Sequence, residues 1–282
     1  MHGGGLANHK GGLAGYESTF ALSNSSWFEQ LLHGGHLLPE ACTAHRPSLR
    51  LAACSNLAPA GTGTTSLAHA LMHTGNNSQI NQGSRALRLN TSKISLVHHD
   101  HNLFIPSLSL RPGGGSCFIM TLRDPVERLK SGLAYGGFGV PLKGVGYSLS
   151  NFVSALRSGQ ARSFYENSVQ RGMAGLPLHP PRTSNFLVPQ IAYLRGLNCS
   201  HTEIHFICTC ALAADWSSLR QQFGAAAWDD APKTATHLRV GLQKNNTRTP
   251  SSNDADAEHF VRWGLYKADT LLHRSYCTEK CA

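Results

Sequence analysis

The chain has 282 residues, of which 41% are hydrophobic and 15% are charged. This composition supplies enough apolar side chains for a buried core and excludes collagen-like, coiled-coil and fully disordered proteins. The 25 lysines and arginines against 16 aspartates and glutamates give a formal net charge of +9, which favours a polyanionic partner. Because the basic residues form no long run and no nucleic-acid-binding motif stands out, an acidic glycan or a phosphorylated small molecule is preferred to nucleic acid.

Two features of the sequence bear on the cellular compartment. No window approaches the roughly 20 apolar residues of a membrane-spanning helix, and the glycine-rich N-terminus lacks the layout of a secretion signal. Glycosylation triplets of the form N-x-S/T, which matter only in a secretory lumen, stand at Asn24, Asn76, Asn90, Asn198 and Asn245.

The cysteines also favour an oxidising compartment. Their number, eight, is even. The C-x-C at Cys208 and Cys210 and the C-x3-C at Cys277 and Cys281 lack the C-x2-C spacing of a zinc site, so lumenal disulfides are the preferred interpretation, with the pairing left open. Cys54 and Cys117 lie in strand-like apolar runs and are expected to be small buried side chains.

An α/β pattern begins at residue 49, after a Gly-, His- and Ser-rich stretch over 1–48 that is predicted to be a poorly ordered lead-in. Strands are predicted over 49–58, 94–98, 117–122 and 203–210. Helices are predicted after residue 66, from Pro125 with Asp124 as its cap, and over 150–173, 185–197, 214–223 and 255–276. Residues 49–282 are therefore predicted to form a single α/β domain in which helices flank a parallel sheet.

A Gly/Thr-rich loop, Pro59 to Leu67, connects the first strand to the first helix. Its glycines allow successive N–H groups to converge, the helix N-terminus adds partial positive charge, and Thr64, Thr65 and Ser66 offer hydroxyl donors. The segment is therefore a P-loop-like candidate cradle for phosphate, or otherwise a plain glycine turn with a threonine cap. It lacks the lysine of a Walker A loop, which disfavours a P-loop kinase.

A second segment of interest follows the strand at 117–122. Arg123 ends that strand and Ser131 lies two turns into the next helix, so both are expected at the crevice where open α/β sheets bind ligands. The planar fork of arginine suits a phosphate dianion. The alternative is a capping salt-bridge cluster of Arg123, Asp124, Glu127 and Arg128.

Together the two segments, P-x-x-x-G-T-T-S-L and L-R-D-P-V-E-R-L-x-S, resemble the donor-binding signatures of sulfotransferases that use 3′-phosphoadenylyl sulfate (PAPS). They are most similar to the Golgi carbohydrate branch that includes heparan and uronyl 2-O-sulfotransferases. The resemblance implies that Arg123 and Ser131 hold the 3′-phosphate. It also implies that the last four residues of the donor-binding loop hold the 5′-phosphosulfate. The loop as a whole consists of Gly61, Thr62, Gly63, Thr64, Thr65 and Ser66. Weaker similarities at Gln190-x3-Leu194, 204–207 and 236–239 extend the match over most of the chain from residue 50, and they make Lys244 a further candidate contact.

The histidines of V-H-H-D-H, residues 97–101, stand at the end of a predicted strand. They resemble the H-x-H of the 2-O branch, in which a histidine removes the proton of the acceptor hydroxyl. The resemblance makes His101 the first and His99 the second candidate for the catalytic base, and a neutral imidazole suits that transfer. A metal site and ordinary surface histidines are the alternatives, although His98 points away from the other two on a strand and no fourth ligand is evident.

One departure from the family pattern concerns Gly61, where the family usually has a lysine that steadies the bridging oxygen of the departing phosphate. Its absence removes a cation from the place where negative charge develops, and electrostatic stabilisation of that kind is worth several kcal/mol of barrier. Either Lys93, Lys130 or His101 substitutes, or the turnover is slow, or the protein binds without reacting. An inserted residue that displaces the register of the loop is a further alternative.

The sequence thus predicts a sulfotransferase that transfers sulfuryl from PAPS to a hydroxyl of a carbohydrate, an anionic glycan by charge, in the Golgi lumen. Neither a metal nor nucleic acid is expected to take part. Membrane attachment is expected only through an anchor that the chain as written lacks. The alternative is a sulfotransferase-like pseudoenzyme that binds a nucleotide or a glycan without catalysis.

Overall fold

The structure is a computed structural model, and it describes residues 40–43, 54–57, 59, 87–88, 97–98, 117–134, 148–173, 185–194, 197, 199, 202–223 and 252–281. This part of the chain is mostly helical and contains a small parallel sheet. It therefore agrees with an α/β domain at the level of fold class.

The parallel sheet has the strand order β1-β4-β5, formed by β1 (Cys54–Leu57), β4 (Cys117–Leu122) and β5 (Glu203–Cys208). Every side chain of β4 is buried, as expected for a strand with both faces covered. Two shorter strands, β2 (Leu87–Arg88) and β3 (Val97–His98), pair antiparallel in a separate sheet. The strand predicted over 94–98 therefore exists at its end, but it does not belong to the parallel sheet as the α/β pattern suggested.

The described residues also form seven α-helices. They are α1 (Glu40–Thr43), α2 (Pro125–Ala134), α3 (Leu149–Arg157), α4 (Arg162–Met173), α5 (Leu212–Phe223), α6 (Ser252–Phe260) and α7 (Lys267–Cys277). Short 3₁₀ helices span Gln190–Leu194 and Thr209–Ala211, and a π-helical segment spans Val261–Leu265.

The boundary between β4 and α2 confirms the prediction made from Asp124 and Pro125. The Oδ1 of Asp124 accepts hydrogen bonds from the N–H groups of Val126 (3.0 Å) and Glu127 (3.2 Å), and Pro125 occupies the first helical position. Val126, Leu129 and Leu133 are buried on one face, so α2 packs its apolar stripe against the core.

Three predicted helices are wrong in extent. The helix over 150–173 is two helices, because Gly159 adopts a left-handed φ of 89° after α3 and breaks the run. The segment 185–197 begins as a turn and becomes helical only as the 3₁₀ helix. The long helix over 255–276 is interrupted at the π-helical segment, where Tyr266 leaves helical geometry and its hydroxyl donates to the carbonyl of Leu187 at 2.9 Å.

Disulfides link α1 and the C-terminal end of α7 to β5 and the segments beside it. The pairs are Cys42–Cys199, Cys208–Cys277 and Cys210–Cys281, and none of the described cysteines is free. Cys117 is fully buried as expected but is itself disulfide-bonded, so the expectation of a simple apolar side chain is wrong there. Disulfides of this kind are typical of secreted and lumenal proteins.

Within the described ranges, no helix has the length and apolar character needed to cross a membrane. The helical turn α1 falls in the stretch predicted as a lead-in, and Cys42 ties that turn to the residues that precede β5.

The packing of α4 against the turn at 185–190 predicts the effect of Gly172→Ala. A Cβ at Gly172 would lie 2.4 Å from Cγ2 of Val188, so α4 or the turn has to move. Overpacking of this kind costs about 1–3 kcal/mol, more than the gain of up to about 1 kcal/mol in helix propensity. We expect a lower free energy of unfolding in urea, whereas Ser163→Ala, an exposed change on the same helix, leaves it nearly unchanged. Equal stabilities of the two variants would contradict this packing.

Candidate functional site

The parallel pairing of β1 with β4 brings the ends of both strands to one edge of the sheet. Cys54 is in register with Cys117, and Leu57 with Met120. Parallel neighbours end on the same side, so Leu57 at the end of β1 and Leu122 at the end of β4 both lie at the carboxyl edge. This is the edge at which open α/β sheets bind ligands.

The side chain of Gln190 holds the backbone of Arg123 at the carboxyl end of β4. The Arg123 N–H donates to Oε1 of Gln190 at 3.0 Å, and Nε2 of Gln190 donates to the Arg123 carbonyl at 2.8 Å. Burial lowers the pKa of the Arg123 guanidinium, and the carboxylates of Glu127 and Asp124 oppose that effect without outweighing it. The two hydrogen bonds to Gln190 fix the backbone of Arg123, the predicted phosphate ligand.

The structure agrees in part with the alternative of a capping salt-bridge cluster. Asp124 does cap α2, and it also pairs with Arg262 from the π-helical segment, with Nε–Oδ2 at 3.2 Å. Arg128 points into the core instead, where only 1% of its surface is exposed. Arg123 keeps the carboxylates of Glu127 and Asp124 as charged neighbours, so of the four residues only Arg128 turns away into the core.

A buried polar network surrounds Arg128. Its Nη2 donates to the carbonyls of Asn185 (3.0 Å) and Val188 (2.7 Å), and its Nη1 lies 4.0 Å from Oδ2 of Asp269. Asp269 accepts the N–H of Gln190 at 2.7 Å and that of Ile191 at 2.9 Å. Burial raises the pKa of the Asp269 carboxyl, while the charge of Arg128 and these two N–H groups oppose the rise.

Ser131 and Lys130 lie on the outer part of α2. Ser131 is partly exposed and lies two helical turns beyond the cap, and its expected place at the crevice stays a prediction. Lys130 was one candidate to replace the cation missing at Gly61, but its Nζ lies 2.7 Å from Oε1 of Glu258 and 3.2 Å from Oε1 of Glu127. Burial works to lower the pKa of Lys130, and the two carboxylates outweigh it and raise the pKa. Its charge is therefore already balanced by protein groups.

The other predicted site residues lie outside the described part of the chain. They are Gly61, Thr62, Gly63, Thr64, Thr65, Ser66, His99, His101 and Lys244, together with the possible substitute Lys93. Their roles stay predictions.

His273 is a residue at this edge that sequence reasoning missed. It lies one turn after Asp269 and one turn before Cys277 on α7, so these three share a helix face. Burial lowers the pKa of the His273 imidazole, Asp124 opposes the change and Arg262 reinforces it. The spacing of four residues between Asp269, His273 and Cys277 is the signal that could have found it.

One cluster with metal-ligand atoms exists among the described residues: Cys117, Glu203 and His205, whose ligand atoms all lie within 4.8 Å of one another. The sulfur of Cys117 is in a disulfide and is not a thiolate ligand. The Nε2 of His205 is hydrogen-bonded to Oε1 of Glu203. The residues therefore do not fit a metal, and the cluster is a buried structural group.

A cavity of about 170 Å³ lies elsewhere, along β5, between α5 and the end of the chain. Its lining includes His205, Asp215 and Lys280, and the Nζ of Lys280 lies 2.8 Å from Oδ1 of Asp215. Neither Arg123 nor Ser131 lines it. We therefore place the candidate site at the carboxyl edge, because the predicted phosphate ligand and the two paired strands converge there.

No known protein family, curated protein or solved structure matches this chain.

The buried network predicts the effect of Arg128→Leu. The change leaves the carboxylate of Asp269 in the core without its cation, and breaking a buried pair in this way costs about 3–5 kcal/mol. We expect that loss in the free energy of unfolding measured with urea.

Two further variants control this experiment. The double variant Arg128→Leu/Asp269→Asn should recover part of the loss, because no uncompensated charge remains. Asp256→Asn, which disrupts the exposed ion pair with Arg157, should have little effect because solvent screens that pair. A loss for Arg128→Leu as small as that of Asp256→Asn would contradict the network.

His273 makes stability depend on pH. Its pKa is lower in the folded protein than in the unfolded chain, so the unfolded chain binds more protons between the two values and stability falls as the pH decreases. We expect His273→Gln to lose less unfolding free energy than the native protein between about pH 7 and about pH 5. His259→Gln, on the exposed side of α6, controls for removal of an imidazole. Identical pH profiles for the native protein and His273→Gln would contradict the assignment.

Proposed function

We propose that this protein is a sulfotransferase that transfers sulfuryl from PAPS to a carbohydrate hydroxyl, with the donor in a P-loop-like cradle. The observation that carries the proposal is the register of β1 and β4. Because these strands are parallel neighbours, Leu57, after which the Gly/Thr loop begins in the sequence, lies at the same edge as Leu122, which precedes Arg123. One doubly phosphorylated adenosine could then contact both segments.

Charge at the carboxyl edge supports a phosphate beside Arg123. At Lys130 and Arg262, neighbouring carboxylates outweigh burial and raise the pKa. At Arg123 the carboxylates of Glu127 and Asp124 also raise the pKa, but burial outweighs them and the pKa is lowered. A 3′-phosphate would accept bidentate hydrogen bonds from the Arg123 guanidinium.

In the proposed reaction, the acceptor hydroxyl attacks the sulfur of PAPS in line with the bond to the bridging oxygen. The new O–S bond forms as the S–O bond to the 5′-phosphate breaks, and adenosine 3′,5′-bisphosphate leaves. His101, or His99, takes the hydroxyl proton. Gly63, Thr64, Thr65 and Ser66 hold the 5′-phosphate, while Arg123 and Ser131 hold the 3′-phosphate. Lys244 is a further donor contact.

The acceptor and the compartment follow from charge and disulfides. A net charge of +9 suits an anionic glycan. The disulfides support a secretory location, and glycan sulfation makes the Golgi lumen our specific proposal.

The ion pairs of Lys130 support a second candidate function. Gly61 stands where a lysine is expected, and Lys130 is paired with Glu258 and Glu127. If no other cation reaches the bridging oxygen, the protein is a pseudoenzyme that binds the nucleotide without transferring sulfuryl. The two candidates share the donor site and differ in catalysis.

Transfer of labelled sulfate from PAPS to a panel of desulfated polysaccharides separates the two candidates. Binding of adenosine 3′,5′-bisphosphate is measured on the same preparation. Binding with transfer supports the sulfotransferase, binding without transfer supports the pseudoenzyme, and the absence of binding rejects both.

Arg123→Ala tests the 3′-phosphate contact. We expect bisphosphate binding to weaken by about 1.5–3 kcal/mol, the range for hydrogen bonds to charged groups, as measured by calorimetry. Arg157→Ala, which removes an exposed arginine of α3, is the matched control and should bind like the native protein. Unchanged affinity in Arg123→Ala would mean that this arginine does not hold the phosphate.

A further inference from the structure

Gln190 is fully buried and directs both ends of its side-chain amide at one residue. Its Oε1 accepts the Arg123 N–H and its Nε2 donates to the Arg123 carbonyl. Arg123 is the first residue after β4, so this amide continues the pairing pattern of a strand just where the strand ends. The direction in which Arg123 leaves the sheet is therefore set by a side chain from a distant part of the sequence.

Gln190 is itself held in place by α7. Its backbone N–H donates to Oδ2 of Asp269, and the N–H of Ile191 donates to Oδ1 of the same carboxylate. Arg128 holds the preceding turn through the carbonyls of Asn185 and Val188. The glutamine cannot shift without breaking contacts to α2 or α7.

The C-terminal helix is tied back to the same strand end. Cys208, the last residue of β5, is bonded to Cys277, and Cys210, in the 3₁₀ helix that follows, is bonded to Cys281. The hydroxyl of Thr209, between the two cysteines, donates to the carbonyl of Leu122 at 2.7 Å. Two routes therefore reach the end of β4, one through Asp269 and Gln190 and one through the disulfides and Thr209.

We propose that Gln190 is a positioning residue for Arg123, anchored by Asp269, and that it determines the preference of the site for nucleotides that carry a 3′-phosphate. The inference rests on the proposed donor site. Its physical basis is that a bidentate phosphate contact requires a fixed guanidinium, and the fixed backbone of Arg123 removes conformational freedom that binding would otherwise have to remove. Gln190 does not touch the nucleotide.

The test compares adenosine 3′,5′-bisphosphate with adenosine 5′-monophosphate, which lacks the 3′-phosphate. Dissociation constants for both are measured by calorimetry on the native protein, Gln190→Ala, Asp269→Asn and Arg123→Ala. Gln221→Ala, on the exposed side of α5, is the matched control. The readout is the ratio of the two affinities, because a general loss of folded protein weakens both nucleotides alike and leaves the ratio unchanged.

We expect the preference for the bisphosphate to fall about tenfold in Gln190→Ala and in Asp269→Asn, the equivalent of a weakened hydrogen bond to a charged group. Affinity for the monophosphate stays within about twofold of the native value. Gln221→Ala retains the native ratio. If Gln190→Ala fails to fold, Gln190→Glu gives the same test, because it keeps the acceptor for the Arg123 N–H and loses the donor to the Arg123 carbonyl.

Two outcomes overturn different claims. If the native protein shows no preference for the bisphosphate, the proposed donor site itself is wrong. If the native protein prefers the bisphosphate and Arg123→Ala abolishes the preference, while the folded Gln190 and Asp269 variants keep the native ratio, the donor site stands and the positioning role of Gln190 is wrong.

Discussion

The buried carboxylate of Asp269 is the constraint on which the carboxyl edge depends. Burial of a charge is costly unless cations and N–H groups surround it, and here Arg128 and the N–H groups of Gln190 and Ile191 do so. Because these groups come from α2, from the 3₁₀ helix and from α7, the carboxylate specifies how three distant segments meet. A hydrophobic contact at the same place would not fix the direction of each segment.

The disulfides complement that network from the outside. Cys277 is buried and Cys281 is exposed, yet both hold the C-terminal end of α7 near the end of β5. In an oxidising compartment such links restrict the unfolded chain and so favour the folded state. In this protein they also keep Asp269 within reach of Gln190. Stability and site geometry therefore depend on the same helix.

Charge is distributed unevenly around the proposed site. Lys130 forms ion pairs with Glu127 and Glu258, and Arg262 forms ion pairs with Asp124 and Glu258. These pairs make an ion-paired surface on α2, the end of α6 and the π-helical segment. Arg123 lies beside this surface, and burial lowers the pKa of its guanidinium more than the neighbouring carboxylates raise it. Burial thus dominates the pKa of Arg123, whereas carboxylates dominate the pKa values of Arg262 and Lys130.

The sequence by itself determined β4, α2 and their boundary. An apolar run, an aspartate cap and a proline at the first helical position act over a few residues, so local pattern is enough to place them. It did not determine the break at Tyr266, the turn that precedes Gln190, the antiparallel pairing of β3 or the oxidised state of Cys117. Those features, and the turning of Arg128 into the core, depend on partners far away in the chain. Only the tertiary structure decided them, because a hydrogen bond or a disulfide between distant segments leaves no periodic trace in the sequence around either end.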